Sequence, residues 1–592
     1  MRIIGFAILF VAALILIPRV HAATFTVTKT ADTADGVCDA DCSLREAVIA
    51  ANDDSNPDTI VVPAGTYDLT IAGAGEDAGA TGDLDIRGPV TIQGADAAST
   101  IVDAGGIDRV FHVESGSTRV VFADLTIRGG SAAGSGVDRQ GGGIYAFRSL
   151  VTILNSVVTG NTAEFRAGGI EVSLGGGDQG GGDLQLLGST VSMNTAMATG
   201  GGGGILTSGR VTVRVSHSTL SGNTSTNGPG GGASFSGPLD LAVVASDFTG
   251  NSAKNGGGFT SNQAFAVLVR DVTVENNTAA NGGGGVDLIQ QGNQVFRFEA
   301  SKVRGNMAQS GGGIRCDGGV IEYVDGEISG NTATSIGGAF NVIRTNLDIR
   351  GSTIKNNQAA AYAGGITVAF GTHVIENSTL TGNSVTSTTG NNGVIGGAAV
   401  ATNPSTTSNV TIVNSTVADN VAPAGGSQLF CGACAENSVF ALRNTIITGP
   451  PGVPLCAVRF SSGPFVSEGG NLSDDASCNF NDPTDQQNVA DMMLDALQND
   501  GGPTETLPLL SGSPAIGAAV PANCPTHDQR GFQRDGDCDA GAYEANVSFE
   551  GFGCPLDQAG ASTTLGYVVE EVLPNVDVGD VVFCLGGIAG AA

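Results

Sequence analysis

Apolar residues recur in one fixed spacing ten times between residues 151 and 420. Two stand two positions apart, a third follows five positions later, and an asparagine comes three residues after that. The first interval is typical of a β-strand with one buried face, and the jump that follows needs a corner that resets which face points inward. A glycine cluster usually follows the asparagine and predicts a further turn before a second short strand. Each unit is therefore predicted to be one coil of a β-solenoid.

Successive asparagines lie 25 to 37 residues apart, which is a period typical of solenoids. Stacked coils would lie ~4.8 Å apart, so that the apolar positions form continuous stacks and the asparagine amides can hydrogen-bond along the axis. His373 takes one of the inward positions, and we expect it to be packed and hydrogen-bonded. The predicted ladder consists of Asn161, Asn194, Asn223, Asn251, Asn277, Asn306, Asn331, Asn357, Asn383 and Asn420.

The pattern continues past both ends of this array in altered form. The triad that begins at Val120 has Gly130 in place of the asparagine, and the triad that begins at Phe440 has Pro450 there. Two further extended stretches, 60–69 and 90–101, precede the triad at Val120. The chain is therefore predicted to be an all-β, single-stranded parallel β-helix of ~14 coils. Ser43 and Glu46 form a capping box that opens a short amphipathic helix, which we expect to cover the first coil and its strand edges.

The eleven cysteines indicate an oxidising compartment. Proximity along the chain predicts five disulfides and leaves Cys316 free in the repeat region. A zinc site at Cys431 and Cys434 is the less favoured interpretation, because no second ligand pair of convincing spacing follows. The predicted pairs are Cys38 with Cys42, Cys431 with Cys434, Cys456 with Cys478, Cys524 with Cys538, and Cys554 with Cys584.

Both ends of the chain carry motifs that resemble known families. The CSLREAV sequence at 42–48, with the motifs at 56–60, 63–67 and 82–86, is similar to the start of CSLREA-domain proteins. The coils resemble polymorphic outer membrane protein repeats, and the motifs at 500–504, 509–517, 528–531 and 538–544 resemble the choice-of-anchor Q domain. The resemblance to CSLREA-domain proteins implies a secreted, right-handed parallel β-helix.

The same features divide the chain into five predicted segments. Residues 1–22 are expected to be a secretory signal, because Arg2 precedes an apolar run too short for a typical membrane span and Ala22 suits cleavage. The N-terminal cap and first coils are predicted at 23–118, the repeat array at 119–450, and the C-terminal coils and cap at 451–545. The remainder, 546–592, is predicted to be a tail or a small β module, with no integral membrane segment after signal removal.

The charge balance limits the partners of the chain. There are 57 acidic and 26 basic residues, which give a net charge of −31 and disfavour nucleic acid and anionic membranes. The absence of tryptophan weakens the case for a dedicated aromatic sugar platform. We therefore expect a secreted, non-enzymatic protein of the bacterial surface or extracellular space, with no cofactor. Its expected role is adhesion or interaction with the extracellular matrix, through contacts with extracellular polysaccharide or surface proteins.

The alternative is a pectin-lyase-like polysaccharide lyase or glycoside hydrolase. Hydrolysis needs two carboxylates beside the scissile bond, and elimination needs a base beside a bound uronate. The coils carry no Asp-Asp pair on a strand and no Arg-x-Lys motif, and Lys254, Lys302 and Lys355 stand singly. The motifs therefore name no catalytic residue.

One metal site is predicted, at Asp535, Asp537 and Asp539. Alternate carboxylates in a loop can converge on a structural Ca²⁺ ion. The spacing departs from an EF-hand loop, because Glu544 comes two residues too early. Pairing of these acids with Arg530 and Arg534 explains them about as well.

Overall fold

The computed structural model describes residues 22–545, apart from 54, 74, 115–117, 176–181, 238–239, 291, 389–395, 404–405, 424–425, 433, 435–437 and 460–464. The predicted signal, the tail at 546–592 and the pair Cys554 with Cys584 lie outside the described residues, except that Ala22 is described. In the described part of the chain there is one α-helix, Leu44–Ala51, with two 3₁₀ helices, Gly136–Arg139 and Pro521–Asn523. None of these described helices is long and apolar enough to cross a membrane.

The strands form four parallel sheets, called A to D, whose members come from successive coils. Sheet A comprises Thr24–Thr26, Asp58–Val62, Val90–Gly94, Arg119–Ala123, Leu150–Leu154, Gly182–Leu187, Val211–Ser216, Asp240–Val244, Val267–Arg270, Val295–Glu299, Val320–Val324, Asn346–Arg350, Gly371–Glu376, Ser408–Val413, Phe440–Arg443 and Val466–Ser467. Sheet B comprises Gly65–Asp68, Thr100–Asp103, Thr126–Arg128, Val157–Thr159, Thr190–Ser192, Thr219–Ser221, Asp247–Thr249, Thr273–Glu275, Lys302–Arg304, Glu327–Ser329, Thr353–Lys355, Thr379–Thr381, Thr416–Ala418, Ile446–Thr448 and Leu472–Ser473.

Sheets C and D complete each coil. Sheet C comprises Leu84–Ile86, Phe111–Val113, Ile144–Phe147, Ile170–Ser173, Ile205–Ser208, Ala233–Ser236, Phe259–Asn262, Val286–Ile289, Ile314–Asp317, Phe340–Ile343, Ile366–Ala369, Gly397–Thr402, Ser427–Cys431 and Cys456–Val458. Sheet D comprises Ser131–Ala132, Thr162–Ala163, Thr195–Ala196, Thr224–Ser225, Ser252–Asn255, Thr278–Gly282, Met307–Ser310, Thr332–Ile336, Gln358–Ala359 and Ser384–Val385.

The apolar triads lie where the spacing predicts them. Val151 is in register with Leu184, and Leu184 with Val213, so that equivalent residues stack along the axis of the coils. These side chains are buried in one continuous apolar core that also contains Phe122 and Phe248. The prediction of an all-β, right-handed parallel β-helix of about 14 coils is confirmed, and the first coil packs against the predicted capping helix.

The ten asparagines donate hydrogen bonds to one another in sequence. The side-chain amide of Asn161 donates to Oδ1 of Asn194 at 3.0 Å, and Asn194 donates to Asn223 at 3.0 Å. The backbone N–H of each asparagine donates to the same oxygen, as from Asn161 to Asn194 at 3.0 Å. Gln428 ends the ladder, because its Oε1 accepts from Asn420 at 2.9 Å. Each rung therefore uses polar groups that have no access to water.

A second ladder of serines runs along the corner between sheets A and B. The backbone N–H of Ser156 donates to Oγ of Ser189, and the N–H of Ser189 donates to Oγ of Ser218, both at 3.1 Å. Ser352 and Ser378 repeat this contact further along the coils at 3.2 Å. The serine hydroxyls thus accept hydrogen bonds from the backbone N–H groups of this corner, which the asparagines do not reach.

Four disulfides are present among the described cysteines, and they are four of the five predicted pairs. They join Cys38 with Cys42, Cys431 with Cys434, Cys456 with Cys478, and Cys524 with Cys538. Cys316 is a free thiol and lies buried in the core, as the count of pairs predicts.

The residues from 499 to 545, here called the strap, run back along sheet B. Thr504 donates to the carbonyl of Gly351 at 2.8 Å, and Asn377 donates to the carbonyl of His527 at 2.7 Å. Nearer the C-terminal coils, the N–H of Ala542 donates to Oγ1 of Thr416 at 3.1 Å. The strap therefore covers the side of the β-helix.

Gln529 is the central anchor of the strap. It is buried, its Oε1 accepts from Thr379 at 2.7 Å, and its amide donates to Thr353 at 3.0 Å. We expect Gln529→Ala to accelerate limited proteolysis within the strap at least several-fold, because both threonine hydroxyls lose a buried partner. The exposed Gln533→Ala serves as the control. Equal cleavage rates in the two variants would show that Gln529 does not hold the strap.

His373 is packed and hydrogen-bonded as the pattern predicts. It lies in sheet A between Leu347 and Val410, its Nε2 is 3.1 Å from the carbonyl of Phe370, and its Nδ1 has no partner in the described structure. Burial lowers the pKa of His373 from 6.5 to about 4. The folded protein therefore holds this imidazole neutral.

This histidine is expected to make the protein acid-sensitive. Its contribution to the free energy of unfolding is complete above pH 6.5 and is lost as pH falls toward 4, because the unfolded chain takes up the proton first. The loss is about 3 kcal/mol. The free energy of unfolding, measured in denaturant at several pH values from 7 to 4, should fall less steeply with pH for His373→Leu than for the wild type. The exposed-site variant His217→Gln should behave as the wild type does. The same dependence of unfolding free energy on pH in all three proteins would contradict the assignment of the acid sensitivity to His373.

Candidate functional site

One row of side chains on sheet C faces away from the core. Asp85, His112, Tyr145 and Glu171 are paired in register on four successive coils. They alternate with core residues such as Leu84 and Ile86, so they occupy the opposite face of the sheet. All four are nonetheless buried or nearly so. We call them the ionisable row.

Asp85 fixes the orientation of His112. Nδ1 of His112 lies 2.9 Å from Oδ1 of Asp85, and Oδ2 of Asp85 accepts the N–H of Gly79 at 2.8 Å. With the proton on Nδ1 donated to the carboxylate, Nε2 of the imidazole is the nitrogen that can accept a proton. The pair is therefore arranged like an oriented general base.

Tyr145 lies beside this histidine. The centroids of the two rings are 5.5 Å apart. The guanidinium carbon of Arg109 lies 5.6 Å from the centroid of the same tyrosine ring. Burial, with the neighbouring carboxyl of Glu171, raises the pKa of Tyr145 to about 12. The phenol therefore stays protonated at neutral pH and can donate a hydrogen bond or a proton.

Arg109 ties the row to the 3₁₀ helix Gly136–Arg139. It pairs with the buried carboxylate of Asp83, and it donates to the carbonyl of Val137 at 3.1 Å in the 3₁₀ helix. Burial raises the pKa of Asp83 to about 7, although the Arg109 charge opposes that shift. Because the charge of Arg109 is already paired with Asp83, its role in the site is to hold the 3₁₀ helix and the tyrosine ring in place.

Glu171 lies beneath Arg166. Nε of Arg166 is 3.3 Å from Oε1 of Glu171, and the carboxyl oxygens accept no hydrogen bond in the described part of the chain. Burial raises the pKa of Glu171 to about 8 even against the charge of Arg166. The Arg166 side chain is 28% exposed, and both it and Arg139 stack on the ring of Phe165. Two guanidinium groups thus stand at the edge of the row.

A groove of about 280 Å³ continues the row along sheet C. Glu171 is in register with Leu206, and Ser234, Thr260 and Asp287 follow on the next coils and line the groove with Arg166. Arg315 holds Asp287 through contacts of 3.0 and 3.3 Å. Five hydroxyl side chains therefore line the groove, which ends at the ion pair of Asp287 with Arg315.

A metal-type donor cluster lies at the start of the row. Nδ1 of His112 and one carboxylate oxygen each of Asp77 and Asp85 lie within 4.8 Å of one another. It is the one group of three or more such donors in the part of the chain that the structure describes. An imidazole with two carboxylates is a donor set that suits a divalent ion.

The three aspartates predicted to bind calcium are used differently. The two oxygens of Asp539 accept the N–H groups of Gly517 at 2.7 Å and Ala545 at 2.6 Å. Asp535 accepts the N–H of Asp537 at 2.9 Å, and both of these side chains are exposed. They form no donor cluster in the described structure. Calcium binding here stays a prediction, tested by thermal stability with and without EGTA.

A larger depression of about 810 Å³ lies near the C-terminal coils. Three of its four aspartates already accept hydrogen bonds, Asp474 from Thr448 at 2.7 Å, Asp475 from the N–H of Leu455 at 3.1 Å and Asp491 from the N–H of Met493 at 2.8 Å. No histidine, tyrosine, lysine or arginine among the described residues lines this depression, so the ionisable row is the better candidate site.

The ionisable row escapes motif-based prediction because its members are 27, 33 and 26 residues apart. The available signal is local, since each stands between two apolar residues, as in Leu84-Asp85-Ile86 and Phe111-His112-Val113. Aligning the sheet C strands would have stacked these four residues. The aligned triads of sheets A and B do not contain them.

No protein-family model matches the chain, and no curated protein matches it in sequence. The resemblance to CSLREA and choice-of-anchor Q domains thus stays a prediction.

Solved structures are similar to the chain in fold alone. Pectate lyase Pel9A is 14% identical, with 88% of this chain and 96% of that chain covered and a TM-score of 0.26. The A-module of mannuronan C-5 epimerase AlgE6 from Azotobacter vinelandii is 14% identical, with 74% and 96% covered and a TM-score of 0.31. The PL6 family alginate lyase AlyGC is 10% identical, with 76% and 99% covered and a TM-score of 0.17.

Proposed function

We propose that the protein cleaves an acidic polysaccharide by β-elimination at the ionisable row. The observation that carries this proposal is the chain of contacts from Asp85 to His112 and from His112 to Tyr145 on one outer face of the coils. It supplies an oriented base and a protonated acid side by side, which is the minimum that this reaction needs.

The proposed chemistry moves one proton at each of two atoms. Nε2 of His112 removes the proton on the carbon next to the uronate carboxylate. The bond to the glycosidic oxygen breaks as a carbon–carbon double bond forms, and Tyr145 gives its phenolic proton to that oxygen. Proton transfer from the imidazolium to the phenolate restores both residues. No water is consumed, so the product carries an unsaturated end.

The arginines at the edge of the row suit the charge of such a substrate. Removal of a proton beside a carboxylate places negative charge on that carboxylate, and a guanidinium there stabilises it. Arg166 is partly exposed and borders the groove, and Arg139 lies over the same phenylalanine ring. In a chain of net charge −31, this is a local site for an anionic group.

Hydrolysis by a carboxyl pair fits the row less well. Asp85 and Glu171 are three register steps apart, which is roughly 14 Å. A carboxylate oxygen of Asp77 lies within 4.8 Å of Asp85, but both oxygens of Asp85 are already hydrogen-bonded, to His112 and to Gly79. Glycosidases place their two carboxyl groups about 5 Å or about 6.5 to 9.5 Å apart. The spacing between neighbouring rungs, by contrast, brings a base and an acid to one sugar unit.

The direct test is incubation of the purified protein with a panel of acidic and neutral polysaccharides. Cleavage and retention are scored separately, and new ends are assayed for unsaturation by absorbance. We expect unsaturated ends from an acidic polymer only. New reducing ends without unsaturation would overturn elimination in favour of hydrolysis. Retention without cleavage of any polymer would overturn the enzyme and favour the non-enzymatic surface protein that the sequence predicts.

A further inference from the structure

We propose that a divalent transition-metal ion, of which Zn²⁺ is the probe, binds Asp77, Asp85 and His112 and inhibits the ionisable row. Metal binding stands on the donor geometry alone. Inhibition rests on the proposed function, because it requires His112 to be the base. The two parts are therefore separable by experiment.

The donors come from two fixed side chains and one exposed side chain. Asp85 is fully buried and held by Gly79, and the His112 side chain is only 9% exposed. The Asp77 carboxylate is 70% exposed and lies 3.9 Å from Nδ1 of His112. Its loop is bounded by Gly75 and Gly79, both in left-handed conformation. A site with two fixed ligands and one approaching from solvent gives an ion a path of entry.

The donor types favour a transition metal over calcium. Imidazole nitrogen suits zinc and its neighbours, whereas Ca²⁺ prefers six to eight oxygen ligands. Two carboxylates also compensate the charge of a divalent ion in a partly buried position. Because these residues supply three protein ligands, a fourth position would remain for water or a substrate group.

Metal binding and base catalysis require opposite states of the same imidazole. An ion on Nδ1 requires the neutral tautomer whose single ring proton lies on Nε2, in place of the tautomer that donates its Nδ1–H to Asp85. Nε2 has no lone pair to accept a proton in that state. Occupation of the donor cluster therefore removes the base without moving any element of the fold.

Calorimetric titration of the full, chelator-treated protein with Zn²⁺ tests the binding. We expect a saturable site of one ion per chain, weakened at least tenfold by Asp77→Asn and unaffected by Asp247→Asn, a variant at an exposed aspartate of sheet B. Ca²⁺ in place of zinc should bind at least tenfold more weakly. Absence of saturable zinc binding, or equal binding by Asp77→Asn, would overturn the site.

The rate of polysaccharide cleavage with and without zinc, compared within each protein, tests the inhibition. We expect at least a tenfold loss of rate in the wild type at saturating zinc and a smaller loss in Asp77→Asn at the same concentration. Full activity with zinc bound would overturn the inhibition and the assignment of His112 as the base. If no polymer is cleaved, the proposed function fails, and the calorimetry still decides whether the metal site exists.

Discussion

Replacing Asn277 by alanine is expected to lower the free energy of unfolding by about 4 kcal/mol. The side chain is fully buried in the middle of the ladder and donates to the carbonyl of Phe248 at 2.8 Å and to Asn306 at 3.0 Å. Its Oδ1 accepts both the backbone N–H and the side-chain amide of Asn251 at 2.9 Å. Alanine removes the partner of the Phe248 carbonyl and of both N–H groups of Asn251 where water does not reach, and it leaves Oδ1 of Asn306 with only the backbone N–H of residue 277.

Equilibrium unfolding in denaturant measures this loss. The matched control is Asn262→Ala, an asparagine at the exposed end of a sheet C strand, which should change the free energy of unfolding by less than about 0.5 kcal/mol. If the two variants lose the same stability, the ladder contributes no more than a surface amide does. A large loss confined to Asn277→Ala would assign its cost to the buried hydrogen bonds.

Replacing His112 by glutamine is expected to reduce the rate of polysaccharide cleavage about 1000-fold. Glutamine can still hydrogen-bond to Asp85, but it cannot take up a proton at neutral pH. The tilted ring contact with Tyr145, at 5.5 Å between ring centroids, is lost as well. The measurement is the initial rate of unsaturated end formation, with polymer retention assayed in parallel to report binding.

His217→Gln is the matched control, because His217 is an exposed histidine of the repeat array that lies outside the ionisable row. We expect it to keep the wild-type rate. Retention of the polymer by His112→Gln, with its cleavage lost, would identify a chemical role. Wild-type cleavage by His112→Gln would exclude this histidine as the base and move the search to other residues of the row.

The repeat array is the part of the molecule that its sequence predicts best. Val151 and Ile153 share a face because strands alternate, and Asn161 recurs because each coil repeats the same corner. Stacking by one strand spacing then brings equivalent residues together without further information. Gln428, which ends the ladder, breaks this rule and is found only from its contact with Asn420.

The candidate site could not be predicted in the same way. His112 and Asp85 are 27 residues apart and belong to no shared motif, so their contact depends on the length of the intervening coil. The strap shows the same limit, because Thr379 and Gln529 are 150 residues apart and meet only when the chain folds back. The spacing of the aspartates at 535, 537 and 539 predicts metal ligands. In the structure, however, both carboxylate oxygens of Asp539 accept hydrogen bonds from backbone N–H groups.

Spacing within one coil or between neighbouring coils is enough to predict the solenoid, its approximate number of coils, its buried asparagines and its cysteine pairs among the described residues. The folded chain is needed to see which polar residues meet on the outer face of sheet C, where the strap lies and which carboxylates stand beside an imidazole. Stacking turns one position per coil into a row. Any residue can occupy such an outward position without disturbing the apolar pattern, so the pattern carries no record of the row's chemistry.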